Sequence, residues 1–192
     1  MAIMVKQIHR LVNSIVILIV ISCNQTILEH QSKKTENIDN NQINIVIDSS
    51  INSIILRDTV SLGRKAGNIN YLIEEDYNKG ECATLTNKFG NEYLMLKREN
   101  GGYGNQYNYF FVQKTIPLKF KTKRLNDEIF ISNNGAFIGM PENDFLKKYA
   151  DIKFEKETRG DTLSYIFIND IYKSKYIFLS KNLIEFEFGY QD

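Results

Sequence analysis

The chain has no tryptophan and only two prolines, two cysteines and two histidines, and each scarcity removes some chemistry. The histidines are His9 and His30, so none occurs from Gln31 to Asp192. Ser-His and Cys-His nucleophilic catalysis, histidine-bearing zinc sites and a near-neutral imidazole base are thereby excluded from the body of the chain. An enzyme built here would have to work with carboxylates, lysine or tyrosine. A membrane span is missing at the start as well. Leu11 to Ile21 is an apolar run of eleven residues, interrupted by Asn13 and Ser14, whereas crossing the hydrocarbon core takes roughly 20. Neither charge sign dominates, with 24 basic and 23 acidic residues. Without the clearly basic surface that nucleic acid requires, that partner is disfavoured.

What the apolar run does contain is an export pattern. Lys6 and Arg10 precede it, no acidic residue occurs before Cys23, and the small residue Ser22 closes it, which is the order of a signal peptide. Val20, Ile21, Ser22 and Cys23 resemble the lipobox of bacterial lipoproteins. The resemblance implies that residues 1–22 are a cleaved signal and that Cys23 becomes the acylated first residue. A diacylglyceryl thioether with an N-acyl chain would then anchor the protein firmly, since each buried methylene contributes about 0.8 kcal/mol and lasting attachment needs more than one chain. Asn24 follows in place of the aspartate that retains some such lipoproteins at the inner membrane, so the resemblance favours the outer membrane. With Lys6 and Arg10 removed, 22 basic residues face 23 acidic ones and the net charge is −1. If Cys23 carries lipid, Cys82 finds no second cysteine, and in "ECATLT" it reads as a small buried strand residue.

Residues 23–42 are rich in Asn, Gln, Ser, Lys and Glu, the composition of a solvated tether. As a flexible coil of about 20 residues it would reach roughly 25 Å. From residue 43 to 192 the periodicity is mostly two and predicts one antiparallel β-rich α+β domain, with a division into 43–125 and 126–192 as an open alternative. Strands are predicted over 43–47, 53–56, 69–74, 82–86, 93–98, 107–113 and 116–121, the last at a sheet edge because of Pro117. One helix is predicted over 141–149: Pro141 suits its first turn, Glu142 and Asp144 complement the dipole, and Phe145, Leu146 and Tyr149 form its apolar stripe. Strands follow at 152–155, 163–168, 176–179 and 183–188, the last two joined by a tight Ser180-Lys181-Asn182 turn. Ile184, Phe186 and Phe188 are expected to face the core, and Glu185 and Glu187 to face away.

The unit "GAFIGMPENDFLKKY" with "SKNLIEFEFGY" resembles, through Gly135, Gly139, Met140 and the helix stripe, the domain of SmpA/OmlA-type outer-membrane lipoproteins and β-lactamase inhibitor proteins. That resemblance covers about residues 129–190 and implies a short helix packed on an antiparallel sheet. The sequence departs from the pattern at Pro141, where a Ser or Thr cap is usual, at Tyr149-Ala150-Asp151 after the helix, and in having no tryptophan.

Four clusters invite a chemical reading. "IEEDYNKGE" offers oxygen ligands for calcium, but counting from Asp76 the sixth position is Glu81 and the twelfth Asn87, so it fails the EF-hand template and reads as a polar hairpin tip. "GGYG" at 101–104 is followed by strand-like "NQYNYFFV" where a phosphate cradle needs a helix N-terminus, and it reads as a turn. Lys119, Lys121 and Lys123, with Arg124 adjacent, share one face of an extended segment; they either meet an acidic partner or block pairing at a sheet edge. Tyr107 and Tyr109 either offer rings to a partner or belong to a buried strand. No metal or cofactor site is expected. The leading functional expectation is a non-catalytic envelope lipoprotein with a protein-interaction domain. The alternative is an inhibitor or immunity-type lipoprotein blocking a periplasmic or surface hydrolase. A glycosidase would need two carboxyl groups about 5 to 10 Å apart across a cleft, and no pair stands out.

Overall fold

In a computed structural model of the chain, residues 46–76, 80–98, 106–116 and 120–190 are described. The expected signal, Cys23 and the expected tether therefore lie outside the described residues, as do Lys119, Pro117 and "GGYG". Residues 42–192 form one compact unit. Its first described element is a small hairpin of β1 (Ser50–Ile51) and β2 (Ile54–Ile55). Asn52 and Ser53 turn it, both with positive φ (46° and 73°), as a two-residue hairpin loop requires.

Helix α1 (Thr59–Ala66) follows. Asp58 caps it by accepting from the Val60 N–H at 2.8 Å, and Gly67 ends it at φ 63°, a conformation that favours glycine. Only Leu62 and Ala66 of α1 are buried. A 3-10 turn (Asn70–Leu72) leads to β3 (Glu74–Asp76) and β4 (Gly80–Thr86), then β5 (Tyr93–Arg98), β6 (Tyr109–Gln113) and β7 (Thr122–Arg124). Helix α2 (Glu142–Lys148) precedes β8 (Glu155–Arg159), β9 (Thr162–Ile168), β10 (Tyr172–Leu179) and β11 (Asn182–Tyr190).

The main sheet runs in the order β3-β4-β5-β6-β11-β10-β9-β8, antiparallel throughout this path, with β7 added parallel to β4. This order reads the same from both edges: each half is a helix followed by four strands, and the last strands, β6 and β11, meet in the middle. The two sequence halves thus form one sheet. One hydrophobic core draws on both halves, including Leu62 of α1 and Phe145 of α2. Phe145 is fully buried, with the rings of Tyr149, Phe154, Tyr165, Tyr176 and Phe178 centred 4.5 to 5.5 Å away. In a chain without tryptophan, these smaller rings fill the space under α2.

Several predicted elements shift. Residues 46 and 47 are not in a strand, the 3-10 turn occupies 70–72 within the strand expected at 69–74, and the described residues 116, 120 and 121 of the strand expected at 116–121 are not in one, β7 lying at 122–124. Helix α1 was missed because "TVSLGRKA" carries β-branched residues, a central glycine and only two core positions, a weak local signal. Pro141 is the N-cap of α2 and not its first helical residue. Leu146 is 38% exposed, so the stripe is Phe145 and Tyr149. Register also corrects Ile184. Ile177 pairs with Glu185 but Phe178 pairs with Leu183, so a bulge at Ile184 puts Leu183 in the core while Phe186 and Phe188 stay there. Ser180 and Lys181 form the β10–β11 turn, both at positive φ.

Candidate functional site

The sheet's two faces differ. One packs under the helices; the other behaves differently in the two halves. Around β4 to β6 this outer face carries Cys82, Met95, Tyr109 and Phe111, all buried beneath Phe120 and Ile116, which return across it after β6. Across β11 to β8, no other described segment covers the face. Register places Met95, Phe111, Glu187, Lys175, Ile166 and Glu155 in one row across the sheet. The first two are buried at 0% and 7%, whereas Lys175, Ile166 and Glu187 are only partly buried and Glu155 is exposed. Ile168 and Leu179 add apolar surface at 54% and 39% exposure. The open half is therefore a face of aliphatic side chains between lysines (Lys173, Lys175) and glutamates (Glu185, Glu187).

Tyr107 and Tyr109 are 3% and 9% exposed, so neither presents its ring to a partner. Both belong to a strand region buried on two sides, and burial pushes the Tyr107 hydroxyl up to about 12. Lys121 is exposed, and its backbone N–H donates to Glu74 Oε2 at 3.2 Å. Lys123 is half-buried at the end of α1: a Cβ added to Gly67 would lie 3.5 Å from its Nζ, where an ammonium complements the negative end of the helix dipole. Arg124 leaves the strand on the other side and lies beside Gly90. Lys123 thus lies at a helix terminus and Arg124 by a neighbouring turn, while Lys119 lies outside the described residues.

The acidic "IEEDYNKGE" segment is the β3–β4 hairpin, with Asp76 paired to Gly80; its tip, 77–79, is outside the described residues. Among the described residues no three His, Cys, Asp or Glu side chains come together to hold a metal ion. A hollow of about 380 Å³ lies between α1 and the 3-10 turn, lined by Thr59, Leu62, Gly63, Asn68, Asn70 and Tyr107 among others.

One polar centre was not foreseen. Asp48 is 0% exposed. Its Oδ2 accepts from the Tyr149 hydroxyl at 2.8 Å and from the Tyr176 hydroxyl, while Oδ1 accepts from the Asn134 N–H at 3.2 Å. The Tyr172 hydroxyl bridges the same residue's backbone, accepting from Asp48 N at 3.0 Å and donating to Asp48 O at 2.8 Å. Ser132 Oγ is hydrogen-bonded to the Tyr149 hydroxyl at 3.3 Å. Burial drives the Asp48 carboxyl above its ordinary range, and the hydroxyl and amide donors only partly offset this. With no surface exposed, this carboxyl is placed to fasten residues 47–50 into the core and not to meet a substrate. Nothing in the local sequence "INIVIDSS" marks Asp48 for burial. The three tyrosines that hold it come from 101 to 128 residues further along, where no local pattern could reveal them.

Compared with profiles of known protein families, with curated protein sequences and with solved structures, the chain matches none.

Proposed function

We propose that the protein is a membrane-anchored envelope lipoprotein, attached through Cys23, whose β-rich domain binds a protein partner without catalysis. The observation that carries this reading is the contrast between the two halves of one sheet face. Phe120 and Ile116 cover the first half, while Ile166, Ile168, Ile177 and Lys175 of the second half are left accessible to some degree. Charged and aliphatic side chains side by side on a rigid sheet suit a protein surface, whose contacts combine a desolvated centre with a polar rim. Outer-membrane placement follows the residue after Cys23.

The second reading, an inhibitor or immunity-type lipoprotein, is supported by α2 packing on the antiparallel sheet in the unit whose sequence suggested it. The two readings share the surface and differ in the partner: a resident envelope protein in the first, a hydrolase in the second.

Metabolic labelling with a palmitate analogue should mark the wild-type chain and not Cys23→Ala; equal labelling would refute the anchor. For the surface, Ile168→Ser with Leu179→Ser, both at exposed positions of the open half, should leave folding within about 0.5 kcal/mol, as surface substitutions generally do. The pair should also remove a stoichiometric partner recovered by crosslinking from intact cells. A partner retained at wild-type yield would place binding elsewhere.

A further inference from the structure

The turn joining β4 to β5 holds Phe89 out in solvent at 60% exposure. Single exposed apolar residues are common and usually need no explanation. Phe89 differs in how firmly it is held there. The Asn87 side chain accepts from the N–H groups of Asn91 (3.0 Å) and Glu92 (3.3 Å) and donates to Asn91 Oδ1 (2.7 Å) and Glu128 O (2.8 Å). Lys88 N donates to Asp127 O at 2.7 Å, and the Tyr93 hydroxyl donates to Gly90 O at 3.1 Å. Gly90, at φ 73°, completes the turn. With the turn's backbone tied to the 127–128 segment, the Cα of Phe89 is held at the tip, and its ring moves only by side-chain rotation.

One cation lies by the ring and others lie near the turn. Lys88 Nζ lies 5.7 Å from its centroid. A Cβ on Gly90 would meet an Arg124 Nη at 3.4 Å. Next to Arg124, Lys65 and Lys123 line a hollow of about 190 Å³. Against these four cations stand Asp127, paired with Lys65 at 2.7 Å, and Glu128, 3.9 Å from Lys88. The tip is net positive on a chain that is almost neutral.

We propose that the β4–β5 turn docks on an anionic lipid surface, with Phe89 entering the boundary between headgroups and acyl chains and Lys88 and Arg124 facing the phosphates. One buried ring or a few cations alone hold a protein weakly at a bilayer, and the two together reinforce each other. The cations complement phosphate. The contact is independent of Cys23 and of the open sheet face. Where an anchor is present, it would set the orientation of the domain on the membrane.

The absence of tryptophan makes the test direct. The compact unit 42–192, which contains the whole described core and no lipid anchor, is prepared as Phe89→Trp and mixed with vesicles of phosphatidylcholine alone or with phosphatidylglycerol. The emission of this variant should move to the blue only with phosphatidylglycerol, and added salt should reverse the shift. Phe89→Ser should weaken flotation with these vesicles by roughly tenfold or more, and Arg124→Gln by about fivefold. Both positions are at the surface, and unchanged thermal melts would confirm folding. An emission that does not move, or a Phe89→Ser variant that floats like wild type, overturns the proposal. So does a blue shift that appears only when an envelope protein is added, which would make the turn a protein contact.

Discussion

Replacing Asp48 by asparagine should change the way stability depends on pH, and the direction follows from burial. Asp48 is 0% exposed and hydrogen-bonded to Tyr149, Tyr176 and Asn134, and desolvation raises its pKa above the ordinary 3.8. The folded state therefore retains this proton to a higher pH than the unfolded state does. Below the unfolded value both states are protonated and Asp48 adds no pH dependence. As pH rises from there through the folded pKa, the folded state binds more protons and stability falls; above it the loss is complete. Each unit of upward shift costs about 1.4 kcal/mol. This is the reverse of a salt-bridged aspartate. Asp48→Asn keeps a neutral group of similar shape, so the stability of wild type minus that of the variant should decline across this window and then level off. Urea denaturation followed by far-UV circular dichroism, run on both proteins from acid to neutral pH, measures the difference and cancels other titrating groups, including the buried Glu92. A difference that rises with pH would show Asp48 to be held as a favoured anion, and one constant throughout would show that burial does not govern it. Asp48→Ala is a harsher change. It leaves two tyrosine hydroxyls and an amide without their acceptor at about 1 to 3 kcal/mol each, a large part of the 5 to 15 kcal/mol that stabilises a typical domain.

Two further outcomes test the packing and the turns. Phe145→Ala should cost about 3 to 5 kcal/mol, because the cavity would open at the centre of five aromatic rings held by the end of α2, the segment before β8, β9 and β10; a loss below 1 kcal/mol in denaturant titration would mean that the core collapses around the gap. Lys181→Gly should raise the melting temperature, with a gain of about 0.5 to 1 kcal/mol, since Lys181 sits at φ 64° in the β10–β11 turn and the left-handed strain exceeds glycine's entropic penalty. A lower melting temperature would contradict that.

How much was legible varied with the range of the forces involved. Strands 82–86, 93–98 and 163–168 and the helix near 141–149 follow from alternation, turn residues and charges at helix ends, all of which act within a few residues. Tertiary structure decided what depends on a neighbour distant in sequence. It buried β6 on both faces, because Phe120 and Ile116 return over Tyr109 and Phe111. It put Leu183 in the core in place of Ile184 through a bulge against β10, and it turned Lys123 towards the end of α1. It also drew Asp48 inside, where hydroxyls from Tyr149, Tyr172 and Tyr176 satisfy a residue that nothing in its own neighbourhood marks for burial. The sequence by itself determined most of the strands and the second helix; which of their faces is inside, and which stays open, is fixed only when strands far apart in the chain lie side by side.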